Sequence, residues 1–353
     1  MARGAAQTIP AKTRPGAAAA VSAPRPGPGV GLFENDINNT LRRLAFRVGL
    51  AVVFLRFSLL QALLTGTIHV NLRLLYIFGL PALVGVVLSG GLRRSFQGRL
   101  AWYWVGYAAW MAAAVPFSMW KGGSASLVFG FLRADFPVML IIAGLAMTWR
   151  ECRALLHTVA WAAVVSVAAM PAFEQDFGGR AGLEFGTVAN PNDYAAHLML
   201  VLPFLLWVGS NAKLALVRFG AIGGVALGMA MVLKTASRGA AVALVVAILF
   251  FLFRAPVRQR IALVLLAPVA AAILFAAVPR SAIDRISSLA HAGTSADTEY
   301  ESTMARSYLF WKSVEFTVKH PVFGVGPGMF ADYEGRTSRE DARRGAWHDA
   351  HNT

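Results

Sequence analysis

The chain has 353 residues, of which 57% are hydrophobic and only 14% charged. A soluble globular domain carries about 25% charged residues, so this balance, with a mean hydropathy of +0.56, excludes an ordinary soluble fold. The net charge of +15 does not point to nucleic acid, because the basic residues sit in short connections between apolar runs and not in one patch. The single cysteine, Cys152, excludes an internal disulfide and a multi-cysteine zinc site.

Residues 1–43 are rich in Ala, Pro and Gly with scattered arginines, and the expectation is a disordered cytoplasmic arm that buries too little apolar surface to order itself. Residues 44–278 hold apolar blocks near the ~20 residues that cross a bilayer as helix. Nine spans are predicted: Leu44–Leu64, Leu74–Leu92, Leu100–Met119, Phe136–Trp149, Leu155–Phe173, Tyr194–Val208, Leu214–Leu233, Gly239–Phe253 and Ile261–Val278. The runs are continuous and not alternating, so the fold class is an all-α polytopic bundle and not a barrel. Arg47 and Arg56 weaken the first span and are expected near its ends or facing protein. The Lys/Arg bias of the short loops puts the N-terminus inside. With nine spans, residues 279–353 then form a periplasmic segment, with a helix capped by Ser302 or Thr303 and ended by His320-Pro321. Met304, Tyr308, Trp311 and Val314 give that helix an apolar face suited to a membrane surface. The polar stretch stops at Thr353 with no further span, which reads as the end of a C-terminally truncated piece of a longer protein.

The chemistry-bearing residues fall on the outer side. Ser237 or Thr235 caps the span that begins near Arg238, and Lys234 and Arg238 add charge to the positive end of its dipole. This is an anion site in form, and a lipid phosphate or pyrophosphate is the natural anion. The same residues also fit a capped helix with a snorkelling arginine. Asn190-Pro191-Asn192-Asp193 reads as a stop and cap before the next outside-to-inside helix, with Asn190 or Asp193 in reach of substrate hydroxyls. Arg306, read in the first turn of the outer helix, runs against the dipole and suits either an anionic partner or an ion pair with Glu299 or Glu301. His348 and His351 are three apart without a HExxH pattern, so no metal is expected; a lone histidine as general base needs only reach to a hydroxyl. No acidic residue falls deep in a predicted span, which argues against proton-coupled transport.

Several stretches, in order and on consistent membrane sides, resemble the superfamily of bacterial O-antigen ligases and O-antigen polymerases. They are Phe185-Gly186-Thr187 through Ala196, Thr235 through Ala240, Ala305-Arg306 through Trp311, His320 through Phe330, and His351-Asn352-Thr353. The resemblance implies an inner-membrane glycosyltransferase that moves a glycan from undecaprenyl pyrophosphate to a hydroxyl of a lipid A-core, a glycan or a protein. It implies Arg238 and Arg306 as pyrophosphate binders and His351 as the base on the acceptor; His348, Lys234 and Asn190 are the candidate accessory groups beside them. Transfer is expected to proceed with inversion and without a cofactor or metal. A transporter or flippase of lipid-linked glycans is the rival class, and broken helices with intramembrane charges would favour it.

Overall fold

A computed structural model describes residues 34–177, 180–186, 188–257, 260–261 and 297–337, with the side chains of the last segment described from Ser307 onward. These residues are almost wholly helical, and the one sheet is a two-stranded hairpin, β1 (Gln175–Asp176) with β2 (Ala181–Gly182). The all-α membrane class holds.

Among the described residues the count of nine spans is not confirmed. Four helices among the described residues are long and apolar enough to cross a bilayer: Lys121–Leu145, Trp149–Phe173, Pro191–Asn211 and Ala215–Lys234. The first predicted span is instead α2 (Thr40–Phe57) and α3 (Leu60–Ile68), bent by 65° at Ser58-Leu59, a pair that is apolar enough to cross as a fifth, broken span if it counts as one. Leu59 sits in the left-handed region at φ 58°, which a non-glycine side chain rarely adopts, and there the helix axis turns. Three other predicted spans form shorter helices: α4 (Leu74–Leu88), α6 (Arg99–Ala114) and α12 (Arg238–Arg254). At ~1.5 Å per residue these reach only about 22–26 Å. Of Ile261–Val278 only Ile261 is described.

The predicted loop around Lys121 and Arg133 is not a loop. Helix α7 (Lys121–Ala134) runs through Asp135 into α8 (Phe136–Leu145) as one 25-residue pass. Asp135 therefore lies about 15 Å from its Leu145 end at ~1.5 Å per residue, deep within a ~30 Å hydrocarbon layer. This overturns the expectation that no acid sits deep in a span. The charge is tolerated because Arg56, in the last turn of α2, forms an ion pair with Asp135.

Two packed clusters fix the bundle. The larger joins α9 (Trp149–Phe173), α10 (Pro191–Asn211) and α11 (Ala215–Lys234) around the fully buried Tyr194, Leu198 and Val201. The smaller joins α2, α4 and α8 through Val52, Ala82, Val86 and Leu145. Small residues let the backbones approach: a Cβ on Gly85 would overlap Ala45, and one on Gly228 would overlap Leu202.

The first described helix, α1 (Glu34–Ile37), begins before Leu44, inside the stretch that reads as an arm. It helps to build a polar knot at one end of the bundle. Fully buried Arg42 donates to the carbonyl oxygens of Leu145 (2.6 Å), Asp36 (3.0 Å) and Ile37 (3.0 Å) and pairs with Glu151 at 2.8 Å. Arg94 donates to Gly144 O (2.9 Å), Ser89 O (2.7 Å) and Asp36 Oδ2 (2.6 Å). Chain direction then places residues 115–120, the 174–190 connection and residues 235–237 together at the opposite end.

Candidate functional site

That opposite end holds Asn190, Asp193, Lys234 and Arg238 of the residues singled out above. Asn190 stands at the N-cap of α10, where its Oδ1 accepts from the backbone N–H of Asn192 (2.9 Å) and Asp193 (3.1 Å). Its Nδ2 donates to Asp193 Oδ2 at 2.8 Å, so this side chain is committed to holding the turn. Pro191 at the first helical position supplies the fixed φ that starts the helix.

The link from α11 to α12 is three residues long and tightly tied. Buried Thr235 Oγ1 donates to Val232 O at 2.7 Å, which closes the end of α11. Ala236 then takes φ 48°, in the left-handed region, and reverses the chain. Ser237 caps α12, its Oγ accepting from Ala240 N–H at 3.5 Å. Arg238 is the first residue of that helix and is half-buried. Backbone N–H groups without intrahelical partners and the positive end of the helix dipole converge there. Lys234, the last residue of α11, pairs with Glu174 at 2.6 Å.

Arg180 is the residue that sequence reasoning passed over. It lies between the strands of the hairpin and donates through Nε to Thr235 O (2.9 Å) and through Nη2 to Asn192 Oδ1 (2.6 Å). One guanidinium thus ties the hairpin, the α10 cap and the α12 entry together. Its only signal in the sequence is its isolation as the sole cation of an outer loop. With Lys234 and Arg238 it makes three cations at one helix entry.

Helix α13 runs over Asp297–Lys319, an earlier start than the Ser302 or Thr303 cap that the sequence suggests. Arg306 therefore stands in the interior of the helix and not in its first turn, and the dipole argument for an anionic partner there does not apply. The structure does not describe its side chain, and His348 and His351 lie outside the described residues. Further along, Leu309 and Phe316 are buried inward while Trp311 and Val314 remain exposed, so the helix has two apolar sides. The exposed side fits the expected membrane-surface contact.

The stop at His320-Pro321 is where the sequence puts it, since α13 ends at Lys319. Gly324, Gly326 and Gly328 all take positive φ (60°, 107° and 71°), as a turn of this composition requires. The loop docks on the segment before α7 and on its first turn: Met119 N–H donates to Val325 O (3.4 Å) and Ser124 Oγ donates to Pro327 O (2.9 Å). A second short helix, α14 (Phe330–Thr337), follows and packs Tyr333 edge-on against Phe316 with centroids 4.7 Å apart.

Comparison with known proteins is brief. No curated protein and no solved structure matches this chain. The family model described as O-antigen ligase matches residues 223–353, a segment that runs from within α11 through α12 and α13 and contains Arg238, Arg306 and His351. This supports O-antigen ligase-like membrane glycosyltransferase activity. Residues 223–353 therefore carry an O-antigen ligase domain, which bears out the superfamily read from the motifs.

Proposed function

We propose that the chain moves a glycan from undecaprenyl pyrophosphate to an acceptor hydroxyl at the periplasmic face of a bacterial inner membrane. In the step, the bond from the sugar's anomeric carbon to the pyrophosphate oxygen breaks as the acceptor oxygen attacks from the opposite face. His351 takes the acceptor proton, and the diphosphate leaves with the bonding pair. Negative charge grows on that leaving group, so Arg238 and Arg306 stabilise the transition state more than the ground state. Arg180 adds to the positive field, and Lys234 (offset by its pair with Glu174), Asn190 and His348 stand as accessory groups. No metal or cofactor enters this scheme.

The observation that carries the reading is the place of Arg238. It opens a capped helix, beside two more cations, inside the segment that matches the O-antigen ligase family. The acceptor in this reading is a lipid A-core, a growing glycan or a protein hydroxyl.

One observation favours the second reading, a transporter or flippase. The first pass is broken at Leu59, and a charged pair lies at mid-membrane beside the break, which is a pattern of transporters. A vesicle experiment with undecaprenyl-pyrophosphate glycan separates the two. Transfer predicts consumption of the lipid donor in the presence of acceptor, and Arg238→Ala slows it by about 100-fold with the fold intact. Flux of the intact lipid without consumption, unchanged by Arg238→Ala, would make the chain a transporter.

A further inference from the structure

The docked glycine loop walls a cleft that the proposed chemistry leaves unused. It is a cavity of about 520 Å³ between α6, α13 and residues 323–328. On one side Phe323 stacks on Phe117 at 4.5 Å with the rings only 5° from parallel, and Trp110 tilts against Phe323 at 5.7 Å. On the other side Ser313 and Thr317 present hydroxyls one turn apart on α13. Both hydroxyls already donate to backbone carbonyls, of Phe310 (2.7 Å) and Ser313 (2.8 Å), so what they offer a ligand is acceptor capacity. The backbone of Gly324–Gly328 closes the rim.

The rim is built. Ser118 and Ser124 Oγ atoms lie 2.7 Å apart and both side chains are buried, and Ser124 holds the loop through Pro327 O. A Cβ at Gly326 would overlap the Ser118 side chain, so the loop sits as close as a backbone can. Among the described residues no Asp, Glu, Lys, Arg or His lines the cavity, which makes it a poor place for a phosphate. An uncharged ring with a flat apolar face and several hydroxyls matches it: aromatic walls for the face, and hydroxyls and backbone groups for the edge.

We propose that this cleft binds a neutral sugar ring of the glycan substrate, with Trp110 and Phe323 as the stacking platform. The inference rests on the glycan-transfer reading and adds where the saccharide sits. The cleft lies at the same end of the bundle as Arg238, so a lipid-linked glycan held there keeps its charged linkage and its sugars in separate environments.

The test uses the full chain in lipid nanodiscs and saturation-transfer NMR, with N,N′-diacetylchitobiose and maltose as probes and transfer assayed in parallel. Saturation transfer to at least one probe is expected, reduced at least fivefold in Trp110→Ala and in Phe323→Ala and retained in Trp110→Phe. Trp110 is exposed and meets the rim through Phe323, so Trp110→Phe serves as the control for that contact. Arg238→Ala is expected to keep the saccharide signal while losing transfer. No signal from either probe, or a signal indifferent to both aromatic variants, overturns the cleft even if transfer depends on Arg238. A signal displaced by dodecanol and not by excess saccharide makes the cleft a lipid-chain site and overturns it too. A Trp110-dependent saccharide signal without any transfer keeps the cleft and removes the pyrophosphate reading.

Discussion

The two ends of the bundle use arginine in opposite ways. At the knot end Arg42 is fully buried and Arg94 nearly so, and both deliver their donors to the chain's own carbonyls and carboxylates. At the other end Arg238 is half-buried on the first residue of a helix, and Arg180 bridges three loop segments. The first kind is a fastener: its charge is cancelled within the fold, and its planar fork fixes helix ends against one another. Arg180 is itself a fastener, since it donates to Thr235 O and Asn192 Oδ1, whereas Arg238 sits at a helix entry whose first-turn amides favour an anion. The difference teaches that counting arginines per loop does not separate structure from chemistry, whereas burial and position on the helix do.

The contrast is broken most directly by exchanging the two kinds. Arg42→Ala leaves Glu151 at the knot end without its cation and Leu145 O without its donor, and losing one partner of a buried pair costs about 3 kcal/mol or more. Collapse of the folded, monodisperse fraction in detergent size-exclusion is expected, whereas Arg238→Ala should elute as the wild type. If Arg42→Ala is as stable as Arg238→Ala, the division between the two ends fails. Arg238→Lys sharpens it: charge is kept but the fork is lost, so transfer should fall by about tenfold, between wild type and Ala. Next in size is Arg180→Gln, which frees the α12 entry from the hairpin. A loss of about tenfold in kcat/KM with unchanged thermal stability is expected, since small misplacement of a catalytic group is costly.

Asn190→Ala comes lower. It removes a cap worth about 1 kcal/mol, and transfer per folded molecule should stay within about twofold if the side chain only holds the turn. A larger loss at equal stability would make it a substrate contact. The smallest effect lies on α13. There Lys319, and after it Lys312, hold the Glu315 carboxyl below its ordinary value by hydrogen bonding. A depressed carboxylate stabilises the helix above its unfolded value, and the contribution is lost as pH falls through the folded one. Amide protection factors in residues 312–319 should therefore fall slightly as pH drops below the carboxylate range, and Glu315→Gln should abolish that dependence.

What the sequence made legible was local. The Asn190 and Ser237 caps, the stop at His320-Pro321 and the positive-φ glycines follow from one or two neighbouring residues, and all four stand in the structure. Long-range partners were not legible. Lys121, Arg133 and Asp135 dilute an apolar run and read as a loop. They form part of one span because Arg56 pairs with Asp135, and Arg133 lies over the Tyr76 ring at 6.0 Å. Asp36 and Arg42 read as part of a polar arm for the same reason, since their partners Arg94 and Glu151 lie far along the chain. The start of α13 was missed because Asp297 is as good an N-terminal residue as the Ser302 and Thr303 that follow. Of the candidate site, the Arg238 entry and the glycine loop could be read from residues alone, but the bridging role of Arg180 is purely tertiary.

The pair between Arg56 and Asp135 has a consequence for biogenesis. The two residues are 79 positions apart, so the ribosome delivers the cation well before the anion that neutralises it. Until α7 and α8 emerge, a bare guanidinium in the hydrocarbon layer costs a few kcal/mol, roughly 2.5–3.5 on insertion scales. The opening hairpin of the protein should thus wait at the insertion machinery for a later segment. Nascent chains arrested before Asp135 would then remain cross-linkable to the translocon, and those arrested past Leu145 would have been released into lipid; equal release of both would show that the early charge is no obstacle.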